Sequence, residues 1–516
     1  MQQTIKPHGG TLCNLLCDSE RAAELQKESI DFSSIDLGRK EISLLELLIN
    51  GALSPLKGFM NENDYRSVMD DMRLQDGTFW PTPVTLDIDE QVASSLKKGE
   101  KVALRDGEGL MVAVMTVESI WSDKREIHHI GGKIEALSLP IHNDFNDLRS
   151  TPEERRELFR KNGWRRVAAF QTGKILHRRS MDSIRLIAEE FDTNIVIDYA
   201  DGLDRPDESG HYSKVRCLKA AVAHYPPGIA ALGIVPVEPA TDSPENIMFN
   251  AIIGKNYGCT HFILDNTAVS GDTIDTVKKY KEKLALEIVA LSHSKDGETP
   301  QISESGLIEM LKYGSEIPPD FSYTEVIDEM RRTYPSRDRE GFTLFFTGFS
   351  GSGKSTIAKI VVMKLLEIGG RKVTLLDGDI ARKNLSSELT FSKEHRDLNI
   401  TRIGFVANEI TKNGGIAVCC PIAPYDNIRK YNRKLISANG GYIEIHVNTP
   451  IEECEKRDRK GLYAKARAGI IKGMTGIDDP YETPEDPEIR LNTLEMSPEE
   501  AANKVLLYLE RERYIK

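Results

Sequence analysis

The sequence contains no run of about 18 apolar residues, and no apolar segment follows its first few residues. We therefore expect neither a membrane span nor a secretory signal, and we expect a cytoplasmic protein. The seven cysteines are odd in number and widely scattered, without a C-x-x-C pair, which does not suit a disulfide framework. An excess of basic residues is also missing. The net charge of −12 argues against a nucleic-acid partner, which needs a basic face.

The 516 residues are 40% hydrophobic and 29% charged, which is typical of a globular protein of about three domains. No internal repeat of fixed period is present. We place the domains at residues 1–165, 166–334 and 342–516. A polar stretch broken by proline at 334–341 has the composition of a linker before the last of them.

Residues 1–165 look mixed and β-rich. Strands 101–105 and 110–120 flank the turn-forming residues 106–109, and residues 81–88 alternate like a strand. In the two later regions short buried strands alternate with helices, which predicts parallel sheets and an α/β fold class. These strands are predicted at 166–170, 194–198, 260–265, 342–347, 372–376, 415–420 and 442–447.

Residues 347–356 read TGFSGSGKST, and within them Gly348–Ser355 fits the P-loop pattern G-x-x-x-x-G-K-[ST]. An apolar strand candidate precedes the motif and a helical pattern follows it, which is the context that the motif needs. The glycines let several backbone N–H groups point at one phosphate, and the helix N-terminus adds partial positive charge. Lys354 can reach the β- and γ-phosphates of ATP, and the Ser355 hydroxyl can ligate Mg²⁺.

An acidic turn, Asp377-Gly378-Asp379, follows the predicted strand 372–376. Ligands of open α/β sheets bind beyond the carboxyl ends of strands, so both carboxylates are expected beside the P-loop, to bind Mg²⁺ through water or to accept a proton. Residues 461–469 have the glycines and small residues of a mobile lid. Basic residues follow other strand ends, and we expect about half on the solvated surface: Arg382, Arg396, Arg402, Arg429, Lys465, Arg467 and Lys472.

This combination resembles the adenylyl-sulfate kinases, which phosphorylate the 3′-hydroxyl of adenylyl sulfate (APS) with ATP to give PAPS. The resemblance covers residues 342–516. It is carried by Gly348–Thr356, Leu376–Asp379 with Arg382, Phe391-Ser392 with Arg396 and Asn399, Pro421–Tyr425, Lys460–Tyr463, Lys465–Gly469 and Thr475–Glu482.

The resemblance implies a P-loop doubly wound kinase domain that uses ATP and Mg²⁺. Lys354 and Asp377 would be catalytic, and Ser355 and Asp377 would hold the metal. ATP would be bound by Gly348, Ser350, Gly351, Ser352, Gly353, Lys354, Ser355, Thr356 and, near the base, Arg457. The APS site would be lined by Asp379, Arg382, Arg396, Asn399, Ile422, Lys465 and the further cation Lys472, with Phe391 stacked on the adenine.

Two positions depart from the family pattern. Many members have a serine at the position of Ala423, yet direct in-line transfer needs no phosphoenzyme, so activity is not excluded. Met474 stands where the family has an aromatic residue, which weakens one stacking wall.

Residues 1 to about 330 resemble the ATP sulfurylases, which make APS from ATP and sulfate. The resemblance implies a PUA-like β-rich domain followed by a Rossmann-like nucleotidyltransferase domain. It is carried by the segments Leu53–Met60, Arg105–Gly109, Gly163–Thr172, His211–Cys217 and Lys255–Phe262.

The sulfurylase site motifs do not match. The family's Q-T-R-N-P-x-H-x-x-H is reduced here to Gln171, Thr172 and the single histidine His177, which we expect to be structural. Four family arginines fall at Gly173, Glu245, Gly254 and Asn266. ATP and sulfate together bring roughly six negative charges, which need preorganised cations. Each lost charge-assisted hydrogen bond costs about 1.5–3 kcal/mol, so we predict an inactive sulfurylase. Lys174, Arg178 and Arg179 can return some charge, but in another geometry.

Our leading hypothesis is an APS kinase that carries a sulfurylase-like scaffold, in a homo-oligomer. The first alternative is a bifunctional enzyme whose N-terminal part transfers a nucleotidyl group to an acceptor other than sulfate, and whose kinase phosphorylates the product. The second is a regulatory binder that only senses a nucleotide. The intact Lys354 and Ser355 speak against the binder, because degenerate kinase domains lose such residues.

Overall fold

The computed structural model describes residues 5–202, 208–291, 302–390, 392–458 and 460–516. They divide into two compact units. The first comprises Met1–Ile302 with Ile317–Thr333, and the second comprises Ser303–Glu316 with Tyr334–Lys516. The boundary that the sequence places at residue 165 stays a prediction. All seven cysteines are free thiols, as the scattered spacing predicts. Among the described residues, no helix has the length and apolar character needed to cross a membrane.

The strands, in chain order, are β1 Ser33–Asp36, β2 Gly58–Phe59, β3 Leu86–Ile88, β4 Lys101–Arg105, β5 Met111–Ser122, β6 His128–Ala136, β7 Val167–Thr172, β8 Asn194–Ala200, β9 Ala230–Val235, β10 His261–Asp265, β11 Glu287–Leu291, β12 Phe342–Thr347, β13 Val373–Asp377, β14 Ile416–Cys420, β15 Gly441–Val447 and β16 Ile489–Leu491.

The helices are α1 Ser19–Glu28, α2 Arg39–Ile49, α3 Glu62–Asp71, α4 Glu90–Ser95, α5 Pro152–Lys161, α6 Arg178–Phe191, α7 Glu208–Val222, α8 Pro244–Asn256, α9 Gly271–Lys278, α10 Lys281–Leu284, α11 Glu304–Lys312, α12 Thr324–Thr333, α13 Lys354–Ile368, α14 Gly378–Leu385, α15 Lys393–Lys412, α16 Asp426–Ser437, α17 Ile451–Arg457, α18 Leu462–Arg467 and α19 Pro498–Arg511.

The first unit begins with a mainly antiparallel sheet of order β1-β4-β5-β6-β2, in which β3 also pairs with β6. The predicted hairpin is present as β4 and β5. The predicted strand at 81–88 is shorter, because only Leu86–Ile88 pairs with β6. Pro81 and Pro83 lack the N–H groups that a strand ladder uses, which explains why pairing starts later.

A parallel sheet of order β11-β10-β7-β8-β9 completes the first unit. The chain builds outward from β7 through β8 to β9 and then returns to the other side of β7 with β10. Strand order therefore reverses between β7 and β10. In open α/β sheets a ligand crevice lies beyond the carboxyl ends of the strands at such a reversal.

The second unit is a doubly wound parallel sheet of order β13-β14-β12-β15-β16. Its four predicted strands are present with ends shifted by one residue or less. The three-residue β16 was missed, because so short a segment carries no periodicity. One face of the sheet packs against α13 and α19 through Ile357, Val361, Val505 and Leu509, and the other packs against α15 through Ile403 and Ala407.

Candidate functional site

The P-loop connects the central strand β12 to α13. Gly348 has φ of 142° and Gly351 has φ of 76°, a region in which side chains with a Cβ are strained. A Cβ at Gly348 would also lie 2.6 Å from the carbonyl oxygen of Val447. Both glycines are therefore needed for the tight loop that the sequence predicts at this position.

Lys354 begins α13 and is the cation at the centre of the loop. Its Nζ donates to the carbonyl oxygens of Gly348 at 2.8 Å and Phe349 at 2.7 Å. Burial lowers the pKa of this ammonium to about 8, and the charge of Lys460 contributes in the same direction. A buried cation without a full counter-charge is an attractive site for an anion such as a phosphate.

A hydroxyl network supports the loop from behind. The Oγ1 of Thr449 donates to the carbonyl oxygen of Ser352 at 2.9 Å and lies 2.7 Å from the Oγ1 of Thr493. Arg457 donates to that same Thr493 Oγ1 at 3.1 Å, so the network reaches the predicted ATP-base residue. Thr449 and Thr493 follow the ends of β15 and β16, and no sequence motif indicated them.

The acidic turn lies at the carboxyl end of β13, as predicted. Asp377 caps α14 by accepting a hydrogen bond from the backbone N–H of Asp379 at 3.1 Å. The carboxylate of Asp379 is exposed and forms an ion pair with Lys460. Lys460 was not among the predicted site residues, although it lies in a motif of the resemblance.

Arg396 is the most heavily engaged cation of the predicted APS site. One of its amino groups donates to the Gly473 carbonyl at 3.2 Å and to Thr475 Oγ1 at 3.0 Å. The other donates to Tyr425 Oη at 3.2 Å and forms an ion pair with Asp479 at 2.7 Å. Its Nε is buried, with no hydrogen-bond partner among the described residues. Arg396 therefore holds the segment around 473–479 in place and retains one donor.

Two further predicted APS residues differ in their environment. Arg382 donates to the Leu389 carbonyl at 3.1 Å and to the Thr390 carbonyl, and burial lowers the pKa of its guanidinium, with the nearby charge of Arg396 as the second cause. Asn399 is buried on α15, and its Oδ1 has no hydrogen-bond partner among the described residues. An orphaned buried acceptor of this kind is suited to a ligand donor.

The remaining residues predicted for the APS site are Ile422, Lys465, Lys472 and Phe391, and their surroundings differ. The Ile422 carbonyl accepts from Thr347 Oγ1 at 2.7 Å and thereby supports the end of β12. The side chains of Lys465 and Lys472 are exposed to solvent. Phe391 lies outside the described residues.

The segment 461–469, predicted as a lid, contains the short helix α18 at Leu462–Arg467. Tyr463 on this helix is buried and donates through its Oη to the Ser350 carbonyl of the P-loop at 2.9 Å. Asp458 accepts from the backbone N–H of Ala464 at 2.9 Å and so caps the helix start. The segment is fastened to the phosphate loop by an aromatic anchor that composition alone did not reveal.

The structure also shows the surroundings of the two positions that depart from the kinase family pattern, Ala423 and Met474. Ala423 is fully buried with φ of 45°, and its carbonyl accepts from Arg429 at 2.8 Å. This guanidinium also forms an ion pair with Glu444 at 3.0 Å, so Arg429 is a buried structural residue. Met474 is partly exposed, and its carbonyl accepts hydrogen bonds from the N–H groups of 477–479.

The residues that the resemblance to the ATP sulfurylases singles out include the carboxyl end of β7 and the positions directly after it. Gln171, on β7, is 8% exposed, and neither polar atom of its side chain has a partner among the described residues. Thr172 Oγ1 accepts from the backbone N–H of Lys174 at 3.0 Å. A Cβ at Gly173 would lie 2.7 Å from Pro239 Cγ, so the space an arginine would need there is filled.

His177 is held by structural contacts. Its Nδ1 lies 2.9 Å from Ser322 Oγ, and its ring centroid lies 4.5 Å from that of Phe321. Burial lowers the pKa of this imidazole to about 4. The neighbouring Arg178 donates to the Ser322 carbonyl at 3.1 Å and stacks on Tyr323, so its charge serves packing.

The other three lost-arginine positions are also without a cation. Glu245 is exposed in the first turn of α8, where it accepts from Ser243 Oγ at 2.8 Å. A Cβ at Gly254 would contact the ring of Phe262 at 3.4 Å. Asn266 is exposed in the turn after β10.

Ser355 and Asp377 supply a hydroxyl and a carboxylate at the carboxyl edge of the second sheet. Oxygen donors of this kind, completed by water and phosphate oxygens, suit Mg²⁺. The residues present therefore fit the metal that the sequence motif implies. Bound there, Mg²⁺ would neutralise charge on the β- and γ-phosphates.

Two parallel sheets with site loops at their carboxyl edges, one of them a P-loop around a buried lysine, define a multidomain α/β transferase with a nucleotide kinase unit. Family models match a PUA-like domain at residues 5–130, ATP-sulfurylase at 146–293 and Adenylylsulphate kinase at 340–492. The chain belongs to the sulfate adenylyltransferase family, as a fusion of an ATP-sulfurylase region with a C-terminal APS kinase domain.

Curated relatives align along the whole chain. A sulfate adenylyltransferase of Phaeosphaeria nodorum is 38% identical, with 98% of each chain covered. One of Mycosarcoma maydis is also 38% identical, with 99% of each covered. Among solved structures, a hexameric APS kinase from Thiobacillus denitrificans matches with a TM-score of 0.84 and 38% identity over 100% of both chains. The predicted α/β fold class, the PUA-like domain and the kinase fusion are thereby confirmed.

Proposed function

We propose that this protein transfers the γ-phosphoryl group of ATP to the 3′-hydroxyl of APS, giving PAPS, and that its sulfurylase-like crevice does not adenylylate sulfate. The observation that carries the proposal is the contrast between the two site loops. One encloses the buried ammonium of Lys354, and the other places Gly173 against Pro239. A phosphate-handling site needs the first arrangement.

The roles of the kinase residues follow from their chemistry. The backbone N–H groups of 348–356 and the ammonium of Lys354 bind the phosphates, and Arg457 lies toward the ATP base. Asp377 accepts the proton of the attacking hydroxyl. Its carboxylate caps α14 through Oδ1, and the proton is proposed to pass to the other oxygen.

The acceptor nucleotide is proposed to lie against α14 and α15. Arg396 Nε and Asn399 Oδ1 offer it one donor and one acceptor that are buried and without partners among the described residues. Arg382, Asp379, Ile422, Lys465 and Lys472 complete the proposed lining, and stacking of Phe391, which lies outside the described residues, on the adenine stays a prediction.

The sulfurylase reaction is proposed to be absent for an electrostatic reason. Relatives of this chain are named sulfate adenylyltransferases, but here the four family arginine positions hold Gly173, Glu245, Gly254 and Asn266. Arg178 is used in packing on Tyr323, and His177 is kept neutral by its burial. Polyanionic substrates are not stabilised by such a site.

The test is a pair of assays on the purified full chain. With ATP and APS, PAPS should form, and with ATP and sulfate no sulfate-dependent pyrophosphate should be released. Absence of PAPS would refute the kinase assignment. Pyrophosphate release that depends on sulfate would refute the proposal that the sulfurylase-like site does not adenylylate sulfate.

A second candidate function rests on Gln171. Within the part of the chain that the structure describes, its buried amide has a donor and an acceptor without partners, which suits a ligand less charged than sulfate. The first unit would then transfer a nucleotidyl group to another acceptor, and the kinase would phosphorylate that product. Nucleotides paired with varied oxyanions should release pyrophosphate in this case, and no release from any pair would contradict it.

Homo-oligomerisation is proposed from one relative. The Thiobacillus denitrificans APS kinase that matches the entire chain is described as hexameric. Light scattering on the full chain should give a mass several times 57.8 kDa. A monomeric mass at micromolar concentration would contradict this expectation.

A further inference from the structure

Two threonine hydroxyls connect Arg457, the residue predicted near the ATP base, to the backbone of the phosphate loop. Arg457 donates through Nη1 to Thr493 Oγ1 at 3.1 Å and through Nη2 to the carbonyl oxygen of Thr493 at 3.3 Å. Thr493 Oγ1 lies 2.7 Å from Thr449 Oγ1, which in turn donates to the Ser352 carbonyl oxygen at 2.9 Å. We call this continuous series of contacts, Arg457–Thr493–Thr449–Ser352, the hydroxyl relay.

The chemistry of its two ends fixes the direction of the hydroxyl relay. A guanidinium can only donate hydrogen bonds and a carbonyl oxygen can only accept them, whereas a hydroxyl does both. Because the Thr449 proton goes to Ser352, Thr493 is the donor between the two threonines, and its oxygen accepts from Arg457. Thr493 Oγ1 also lies 3.4 Å from the Ser352 carbonyl oxygen, but its contact with Thr449 is much shorter. Hydrogen bonds in series polarise one another, so the charged donor at one end strengthens the bond at the other.

The hydroxyl relay ends on a peptide that needs an external contact to fix its orientation. The peptide bond between Ser352 and Gly353 is planar and trans, so its C=O and N–H groups point in opposite directions. Gly353 has φ of 106°, and a glycine allows other orientations of this peptide at little cost. Ser352 is fully buried and Thr449 is 1% exposed, so bulk water has little access to replace the Thr449 hydroxyl at this carbonyl.

We propose that the hydroxyl relay orients the Ser352–Gly353 peptide for phosphate binding, and that Arg457 is a positioning residue for the phosphate loop in addition to its place near the base. The inference rests on the proposed kinase function. With the Ser352 carbonyl held by Thr449, the Gly353 N–H on the opposite side of the peptide is presented to a phosphate oxygen. A base that holds Arg457 in place therefore also favours the form of the loop that binds phosphates.

Inorganic tripolyphosphate tests the proposal, because it carries the phosphates of ATP without the base. Calorimetry on the full chain with Mg²⁺ measures its affinity, and adenosine reports on the base side alone. Thr449→Val replaces the hydroxyl by a methyl group of similar size, and it should weaken tripolyphosphate binding by about tenfold while adenosine binding stays within about twofold of wild type. Thr449→Ser keeps the hydroxyl and should restore most of the affinity. Unchanged tripolyphosphate affinity in Thr449→Val would overturn the proposal.

Arg457→Met is the decisive variant, and it gives an answer even if Thr449→Val does not fold, because Arg457 is 30% exposed. It should weaken tripolyphosphate binding by about fivefold although this probe has no base. Lys456→Met removes the adjacent charge, 75% exposed on the same helix, and should bind tripolyphosphate as wild type does. A residue that contacts only the base would leave tripolyphosphate affinity unchanged at 457, and that result would overturn the proposal. In the Thr449→Val and Arg457→Met double variant the loss should be smaller than the sum, and full additivity would contradict the relay.

Thr343→Val separates the orientation of the loop from general stability. Thr343 lies near the start of β12, is fully buried, and has its Oγ1 2.8 Å from Thr411 Oγ1, so it belongs to a buried threonine pair of the same kind. This variant should lower the free energy of unfolding as Thr449→Val does, but should bind tripolyphosphate as wild type does. An equal loss of tripolyphosphate affinity in both variants would overturn the proposal. Failure of wild type to form PAPS, with the tripolyphosphate differences intact, would refute only the assignment of the acceptor.

Discussion

The two parallel sheets of this protein share a topology in which a central strand leads into a site loop, but the two loops differ in charge. In both, the first strand of the sheet is central and delivers a site loop at its carboxyl end. The loop after β12 encloses Lys354, whereas the loop after β7 carries Gly173 packed against Pro239. In both sheets the parallel strands are hydrogen-bonded to their neighbours along the whole strand order. The difference teaches that the fold depends on apolar burial, and that the site depends on a few charged side chains which the fold does not require.

The largest expected effect comes from removing the cation that distinguishes the two loops. Lys354→Ala should lower kcat for PAPS formation by about 10³-fold, because the β- and γ-phosphates lose their buried partner. Lys359→Ala on the exposed side of the same helix is the control. A kinetic assay with thermal unfolding of both variants checks this. Activity within tenfold of wild type would remove the basis of the comparison.

Crowding at position 173 predicts a stability effect in the first unit. Gly173→Ala should destabilise by about 1–3 kcal/mol, because its Cβ would lie 2.7 Å from Pro239 Cγ. Gly271→Ala is the matched control, since a Cβ there has nothing within 4 Å. Denaturant unfolding measures both. Adding Pro239→Ala should recover most of the loss, and an unchanged double variant would show that Pro239 is not the obstacle.

His177 provides a pH test of whether the first crevice is structural. Burial lowers the pKa of its imidazole to about 4, below the ordinary value of 6.5. The unfolded chain then binds more protons than the folded one between these values, so the contribution of His177 is complete above pH 6.5 and is lost as pH falls toward 4.

The corresponding variant is His177→Ala. It should lower stability at pH 7 by about 1–2 kcal/mol through the lost Ser322 and Phe321 contacts, and it should flatten the acid limb of the stability curve. PAPS formation should not change. His128→Ala is the comparison variant. If His177→Ala alters catalysis and leaves the free energy of unfolding unchanged, His177 is a functional residue and not a structural one.

The smallest expected effect concerns the anchor of α18. Tyr463→Phe removes one hydrogen bond to the Ser350 carbonyl and should reduce kcat/KM by about fivefold, which corresponds to about 1 kcal/mol. Tyr431→Phe, at an exposed position of α16, is the control. If the two variants are indistinguishable, the α18 helix does not help to set the geometry of the phosphate loop.

The sequence was informative wherever one local pattern determines the structure. The P-loop, its flanking strand and helix, the acidic turn and the hairpin of β4 and β5 all have short-range signatures, and each was found where predicted. The contacts that complete the site could not be read in this way. The Thr449–Thr493 network and the Tyr463 anchor join residues distant in sequence, and β16 is too short for a periodic signal.

The resemblance to known families indicated which positions of the first unit lack the family's arginines. It did not reveal how the surrounding residues occupy the space that those side chains would need. Only the structure shows that Pro239 occupies the space beside Gly173 and that Phe262 borders Gly254. It also shows that the guanidinium of Arg178, a local candidate for replacement charge, lies on the Tyr323 ring. The residue-by-residue roles in the kinase unit remain predictions for the experiments above.

The contact between positions 173 and 239 also limits how the protein can change over generations. A single codon change that places an arginine at 173 would meet the proline ring before it supplied any charge, so this change alone would bring strain without a gain in sulfate chemistry. The proline must be replaced first, at a time when that replacement brings no catalytic benefit. The order of substitutions is thus constrained by sterics, because an arginine at 173 can contribute to a cationic pocket only after the ring at 239 has been exchanged.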